Sequence, residues 1–286
     1  MLYLRRFFFP DADREFDFRL SVKRTCYSTL YPFGVLSVKE LSVLEPEPVT
    51  LLYGGNGCGK TTALNVIAEK LGLIRDTLYN RSNFFADYTR LCDYDLRGAL
   101  PAGSRIITSD DVFNFMLDLR ALNQGIDLRR EEIFEEYLDN KRTPFQLKSL
   151  EDYDQLKKVN QARHMTQSRY TRENLKSNVR EQSNGESAFS YFTEKIGENG
   201  LYLLDEPENS LSPARQLELV RFLEDSARFF GCQFIIATHS PFVLSMRGAK
   251  VYDLDSTPAA VRRWTELPSV RAYYDFFRDH ADEFEN

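Results

Sequence analysis

One stretch constrains this chain more than any other. Residues 54–61 read Gly54-Gly55-Asn56-Gly57-Cys58-Gly59-Lys60-Thr61 and fit G-x-x-x-x-G-K-[ST] in full. The preceding run, 49–53 (VTLLY), is short and apolar, as a buried central strand should be. The following stretch, 62–71, carries apolar residues at 63, 64, 66, 67, 68 and 71. That spacing predicts a largely buried helix closed by Gly72. Between strand and helix, glycines let successive N–H groups turn toward one anion, and the helix start adds a positive dipole end. Lys60 brings a full charge to β- and γ-phosphates, and the Thr61 hydroxyl can ligate Mg²⁺. The candidate nucleotide-binding residues are Gly55, Asn56, Gly57, Cys58, Gly59, Lys60, Thr61 and Thr62. The Cys58 side chain is expected to be free to vary and incidental to the chemistry.

A second segment matches the first. Residues 201–206 read LYLLDE, four apolar residues and then two carboxylates. A parallel strand delivers its C-terminal residues to the ligand crevice. Asp205 is therefore a candidate Mg²⁺ ligand, and Glu206 a candidate base for an attacking water. Ser212-Pro213 predicts a helix start, with a cap hydroxyl and proline at the first helical position. That helix should run to about 230, with 233–237 (QFIIA) as the next buried strand.

Strand, loop, helix and strand in alternation predict an α/β fold with a parallel sheet covered by helices. Residues 2–9, 16–22 and 35–44 read as further, N-terminal strands. From about 75 to 182 the texture changes. Residues 112–122 have helical spacing, while 129–142 and 146–180 are long and polar. The expected organisation is an ATPase core of 1–80 and 183–268, a helical insertion or arm at 81–182, and a C-terminal helix with acidic tail at 269–286.

The 286 residues carry 37 basic and 43 acidic side chains, a net charge of −6, which argues against phosphate binding over the whole surface. The charge is uneven, however. Residues 157–180 hold seven bases (157, 158, 163, 169, 172, 176, 180) against Glu173, leaving an acidic remainder. No apolar run reaches the ~20 residues that span a bilayer, and the first residues lack a signal-peptide pattern. Cys26, Cys58, Cys92 and Cys232 are scattered without a C-x-x-C pair, so neither structural zinc nor disulfides are expected, and a cytoplasmic location is.

With these motifs in place, the chain resembles the ATP-binding-cassette (ABC) class of P-loop ATPases. The glycine loop has the class form through Gly54, Asn56, Gly57, Gly59, Lys60, Thr61 and Thr62. Residues 183–187 (SNGES) resemble the class signature, 207–212 (PENSLS) the D-loop, and 237–240 (ATHS) the switch-histidine motif. Glu186 in the signature is more typical of the chromosome-maintenance and recombination-repair branch than of transporters. The chain also resembles a group of compact bacterial ATPases of AAA/ABC type. These carry Y-P-F, P-V-T, S-x-G-E-S, L-Y-L-L-D-E-P-E and Q-F-I-I-A-T-H-S-P, found here at 31–33, 48–50, 183–187, 201–208 and 233–241.

The resemblance implies a P-loop NTPase fold of ABC type with N-terminal antiparallel strands and an inserted helical subdomain. It implies ATP and Mg²⁺ as cofactors and a homodimer with two composite sites. Ser183, Asn184, Gly185 and Glu186 would cap the ATP of the partner, and Asn209 and Ser210 would form the D-loop. Glu206, His239 and Lys60 would be catalytic, with Thr61 and Asp205 on the metal. The class also has a glutamine loop that senses Mg²⁺ and the γ-phosphate, but this chain has no glutamine between Gly59 and Gln124. Ser82 or Asn83 is the expected substitute. Tyr31 or Phe33 could stack on adenine or simply pack in the core. The basic 157–180 segment is a candidate contact for nucleic acid or for an effector protein. A membrane partner, as in a transporter, is the less favoured expectation.

Overall fold

The computed structural model describes residues 1–23, 26–27, 29–142, 153–175 and 184–284. The chain divides into two compact units, one of Met1–Phe113 with Asn184–Asn286 and one of Asn114–Ser183.

The first unit begins with β1 (Leu4–Phe8), α1 (Ala12–Ser21), β2 (Val43–Leu44) and β3 (Val49–Tyr53). Next come α2 (Lys60–Leu71), α3 (Phe85–Leu91), β4 (Asp93–Leu96), β5 (Arg105–Thr108) and the start of α4 (Ser109–Arg142). The second unit holds the rest of α4 with α5 (Tyr153–His164) and α6 (Gln167–Asn174). The first unit resumes with α7 (Asn184–Lys195), β6 (Gly200–Asp205), α8 (Pro213–Phe229) and β7 (Cys232–Ala237). It ends with α9 (Pro241–Leu244), β8 (Lys250–Asp253), β9 (Ala260–Arg262) and α10 (Pro268–Asp279).

The main sheet runs β5-β6-β7-β3-β8-β9. Its first five strands are parallel, and β9 pairs antiparallel to β8. Every residue of β3, β6 and β7 is buried, which is why these strands read as nearly continuous apolar runs. A second, antiparallel sheet runs β2-β1-β4. Gln233, fully buried in β7, ties the two sheets together. Its Oε1 accepts from the Tyr3 and Leu4 amides at 2.8 and 2.9 Å, and its Nε2 donates to the Leu4 carbonyl at 3.0 Å.

Three sequence expectations are corrected. Of residues 16–22, expected as a strand, 16–21 lie in helix α1 and Val22 caps it. The Asp11 side chain accepts from the Arg14 amide at 2.9 Å, and this cap, with Asp13 and Glu15 in the first turn, outweighs the alternating Phe16 and Phe18. Residues 35–44 hold a 3₁₀ turn at Ser37–Lys39 and only the two-residue β2. In the stretch expected to be helical from 81 onward, β4 pairs with β1 and β5 edges the main sheet beside β6.

The second unit has its own small core of Ile133, Tyr137, Ala162 and Tyr170. The Tyr137 hydroxyl donates to the Met165 carbonyl at 3.1 Å. Of the basic residues read from the sequence, Lys158 meets Glu136 at 3.9 Å and Arg169 meets Glu173 at 3.0 Å. Residues 176 and 180 lie outside the described residues.

Candidate nucleotide site

Strand order brings the motifs together. In the sequence β5-β6-β7-β3, four adjacent parallel strands end on one edge, and these ends carry Thr108, Asp205, the 238–240 turn and the glycine loop. Thr108 lies in register with Asp205, and Asp205 with Ala237.

The loop needs its glycines. Gly59 has φ +106, and a Cβ there would lie 3.0 Å from side-chain atoms of both Val35 and Leu36. A Cβ on Gly54, at φ +152, would lie 2.6 Å from Cys58 Sγ. Gly57 also takes positive φ, with open space around it. The Cys58 side chain therefore fills a core position instead of being free to vary, and burial pushes its thiol up from the usual range. The Gly55 amide donates to Asp255 Oδ1 at 2.7 Å, a contact across 200 residues that sequence inspection does not reach.

Lys60 is buried at the first position of α2. Its ammonium donates to the Gly54 and Gly55 carbonyls at 2.7 and 3.2 Å and lies 2.9 Å from His239 Nε2. The same ring nitrogen is 3.0 Å from Glu206 Oε1. One nitrogen can accept from Lys60 or donate to Glu206, so the imidazole tautomer chooses between the two. Glu206 sits at φ +49, a left-handed conformation at the strand end. Such strain in a non-glycine residue gathers at functional positions. Asn209 fixes the Glu206 carboxylate, donating from Nδ2 to Oε2 at 3.1 Å. Ser210 follows, also left-handed at φ +68.

Glu208 is the residue the motif reading passed over. Its Oε1 accepts from the Thr238 hydroxyl at 2.6 Å and from the His239 and Ser240 amides at 2.7 and 3.1 Å. One carboxylate oxygen thus locks the switch turn to the D-loop. The only cue was its place two residues beyond Glu206.

On the other side of the loop, the Thr61 hydroxyl donates to Asp205 Oδ1 at 3.0 Å. Burial pushes the Asp205 carboxyl up to about 6, while the Thr61 hydrogen bond lowers it. Among the described residues no group of three His, Cys, Asp or Glu side chains could hold a metal ion by itself. A hydroxyl beside one carboxylate fits Mg²⁺, which is held through few protein ligands plus substrate phosphates.

The remaining sequence candidates fall as follows. Thr62 meets the Tyr31 hydroxyl at 3.1 Å. Phe33 is buried and stacks on Phe18 with centroids 4.4 Å apart, which makes it a core ring. The Ser82 hydroxyl donates to the Tyr31 carbonyl and accepts from the Phe84 amide. Neither Ser82 nor Asn83 lines the cavity beside Thr61 and Asp205, whereas Arg75, Tyr79, Asn80 and Asp110 do. Ser183 lies outside the described residues, and Asn184 is described only as the first residue of α7. A Cβ on Gly185 would be 3.6 Å from the Ser210 carbonyl, and Glu186 pairs with Arg215 at 3.1 Å. Gly185 and Glu186 thus lie against Ser210 and α8.

A family sequence model described as "AAA domain, putative AbiEii toxin, Type IV TA system" matches residues 178–245. No curated protein matches the chain. Among solved structures, the chain is similar to a structural maintenance of chromosomes (SMC) head domain from Thermotoga maritima. The identity is 15% over 78% of this chain and 92% of that one, with a TM-score of 0.36. It is also similar to a dimeric ATP-binding cassette in a post-hydrolysis state bound to ADP and Pi. There the identity is 12% over 79% and 90%, with a TM-score of 0.37. At these scores the likenesses are distant, and the motifs and their geometry carry the assignment. The fold is an α/β domain with a P-loop between β3 and α2, an added antiparallel sheet and an inserted helical segment, and its motifs resemble those of the ABC class. Over residues 178–245 the chain is similar to that AAA-domain family. Among the described residues no helix is long and apolar enough to cross a membrane.

Proposed function

We propose that this chain binds Mg-ATP, pairs head to tail with a second copy around two nucleotides, and hydrolyses them to drive a conformational switch. The observation that supports this most is His239 Nε2, within 3.0 Å of both Lys60 and Glu206. It links the phosphate-binding cation to the general base.

Lys60 and the amides of 56–62 bind the β- and γ-phosphates, while the Gly55 amide stays on Asp255 Oδ1. Glu206 takes a proton from water as the water oxygen bonds to the γ-phosphorus. The bond from that phosphorus to the β–γ bridging oxygen breaks, and ADP and phosphate result. His239 holds Glu206 and the γ-phosphate in line, and Asn209 keeps the carboxylate aimed. Bound Mg²⁺, held by Thr61 and Asp205, would neutralise charge building on the phosphate oxygens.

Ser183, Asn184, Gly185 and Glu186 complete the partner's site, with the positive end of α7 facing its γ-phosphate. The pairing is isologous.

The switch serves DNA- or RNA-linked repair or phage defence. The toxin-system description of the matching family favours defence. Exposed Lys157 and Arg172 favour a nucleic-acid contact through the 157–180 segment. Control of a partner effector protein is the second reading, and the Lys158–Glu136 and Arg169–Glu173 pairs favour it by neutralising part of the basic stretch.

ATP titration and steady-state hydrolysis test the activity. The parent should bind and hydrolyse ATP, and Lys60→Ala should bind none. Unchanged affinity in Lys60→Ala would overturn the reading. For the partner, duplex or single-stranded binding that weakens with salt and is lost in Arg169→Gln/Arg172→Gln supports nucleic acid. Salt-insensitive or absent binding supports the effector reading.

A further inference from the structure

A cavity of about 300 Å³ opens beside the metal-side residues Thr61 and Asp205, and Asn65, Arg75, Tyr79 and Asp110 also line it. Among the described residues Arg75 is the one cation that lines it. Its backbone neighbourhood is held firmly, because the Ile74 amide donates to the Ser104 carbonyl at 3.2 Å and the Ile74 carbonyl accepts from the Ile106 amide at 3.0 Å. The guanidinium lies 4.3 Å over the Tyr79 ring, and Nη2 donates to Asn65 Oδ1.

Nη1 is different. It is buried and, among the described residues, has no hydrogen-bond partner. A buried donor left unpaired is costly, and in a guanidinium it is the edge that fits a phosphate oxygen. The nearby carboxylates do not take it up. Asp111 Oδ2 accepts from the Thr108 amide and hydroxyl at 2.6 and 2.9 Å, and its buried Oδ1 has no hydrogen-bond partner among the described residues. Glu69 accepts from the Tyr79 hydroxyl at 3.1 Å and pairs with Arg81 at 2.9 Å. Asp205 accepts from Thr61. Tyr79 and Asn65 thus hold a planar fork in place with one donor unspent, beside the two residues assigned to the metal.

We propose that Arg75 contacts the terminal phosphate of ATP in cis, taking the sensing role that a glutamine loop would otherwise fill. The proposal rests on the reading that the glycine loop holds ATP. ATP carries the γ-phosphate and ADP does not, so the contact separates the two nucleotides, and it strengthens as charge builds on the phosphate oxygens during transfer. Arg75 would therefore act more on kcat than on KM.

The test measures ATP and ADP affinity by titration, and kcat and KM separately, for the parent, Arg75→Ala and Arg75→Lys. Circular dichroism and Tm report folding. Arg75→Ala should lower kcat roughly 10²–10³-fold and bring ATP affinity toward that of ADP, with ADP affinity unchanged. Arg75→Lys keeps the charge and loses the fork, so it should fall between the two. If Arg75→Ala unfolds, Arg75→Lys carries the same readouts. Parent-like kcat, or an equal loss of ATP and ADP affinity, would overturn the role of Arg75 while leaving the ATPase reading intact. A parent that binds no nucleotide would overturn both.

Discussion

The Lys60 ammonium and His239 Nε2 lie 2.9 Å apart, although 179 residues separate them in the chain. The first opens α2 and the second follows β7. Adjacent parallel strands, β3 and β7, carry both to one edge of the sheet. Glu206 Oε1 lies 3.0 Å from the same nitrogen, so one imidazole atom is within hydrogen-bond reach of both side chains.

His239→Ala removes that bridge without touching the glycine loop. Its kcat should fall roughly 10²–10⁴-fold, the usual range for a positioned proton-transfer partner. ATP affinity should stay within a few-fold of the parent. Steady-state kinetics beside a binding titration checks the split.

Glu208→Ala strips the shared acceptor from the Thr238 hydroxyl and from the His239 and Ser240 amides. Unpaired buried donors cost about 1–3 kcal/mol each, so the switch turn should loosen. Both Tm and kcat should drop. Glu208→Gln keeps a carbonyl oxygen and should recover most of the stability. Thermal denaturation and hydrolysis of the pair of variants read this directly.

Gly59→Ala places a methyl 3.0 Å from Val35 and Leu36 at a backbone angle that side chains rarely adopt. The loop should deform, and ATP binding should weaken at least tenfold, or about 1.4 kcal/mol. Circular dichroism should show the helix content retained.

Gln233→Ala tests the fold apart from the site. It leaves the Tyr3 and Leu4 amides without the acceptor they share, at a cost of about 2–4 kcal/mol. A lower denaturation midpoint with parent-like kcat below the transition is the expected result.

The glycine loop, the acidic strand end and α8 were legible because each rests on contiguous local chemistry. Glycine conformation, a buried strand and a Ser212-Pro213 cap each declare themselves within a few residues. Helix α1 was misread because Phe16 and Phe18 alternate as strand residues do, while the deciding cap, Asp11, lies outside that window. Strands β4 and β5 have four residues each, too few for a period to show. Glu208, Asp255 and Arg75 were missed for another reason. Their roles are contacts made across the fold, which their immediate neighbours do not reveal, although Glu208 does lie in the 207–212 stretch read as a D-loop.

The central claim is ATP hydrolysis by a dimer in which Glu206 is the general base. Glu206→Gln keeps a side chain of the same shape and removes the base. Light scattering coupled to size-exclusion chromatography in Mg-ATP, with a parallel hydrolysis assay, is the direct measurement. The expected result is a dimer that forms with ATP but not with ADP, and turnover lowered by at least about 10²-fold. A variant that stays monomeric in ATP and hydrolyses it at the parent rate would contradict it.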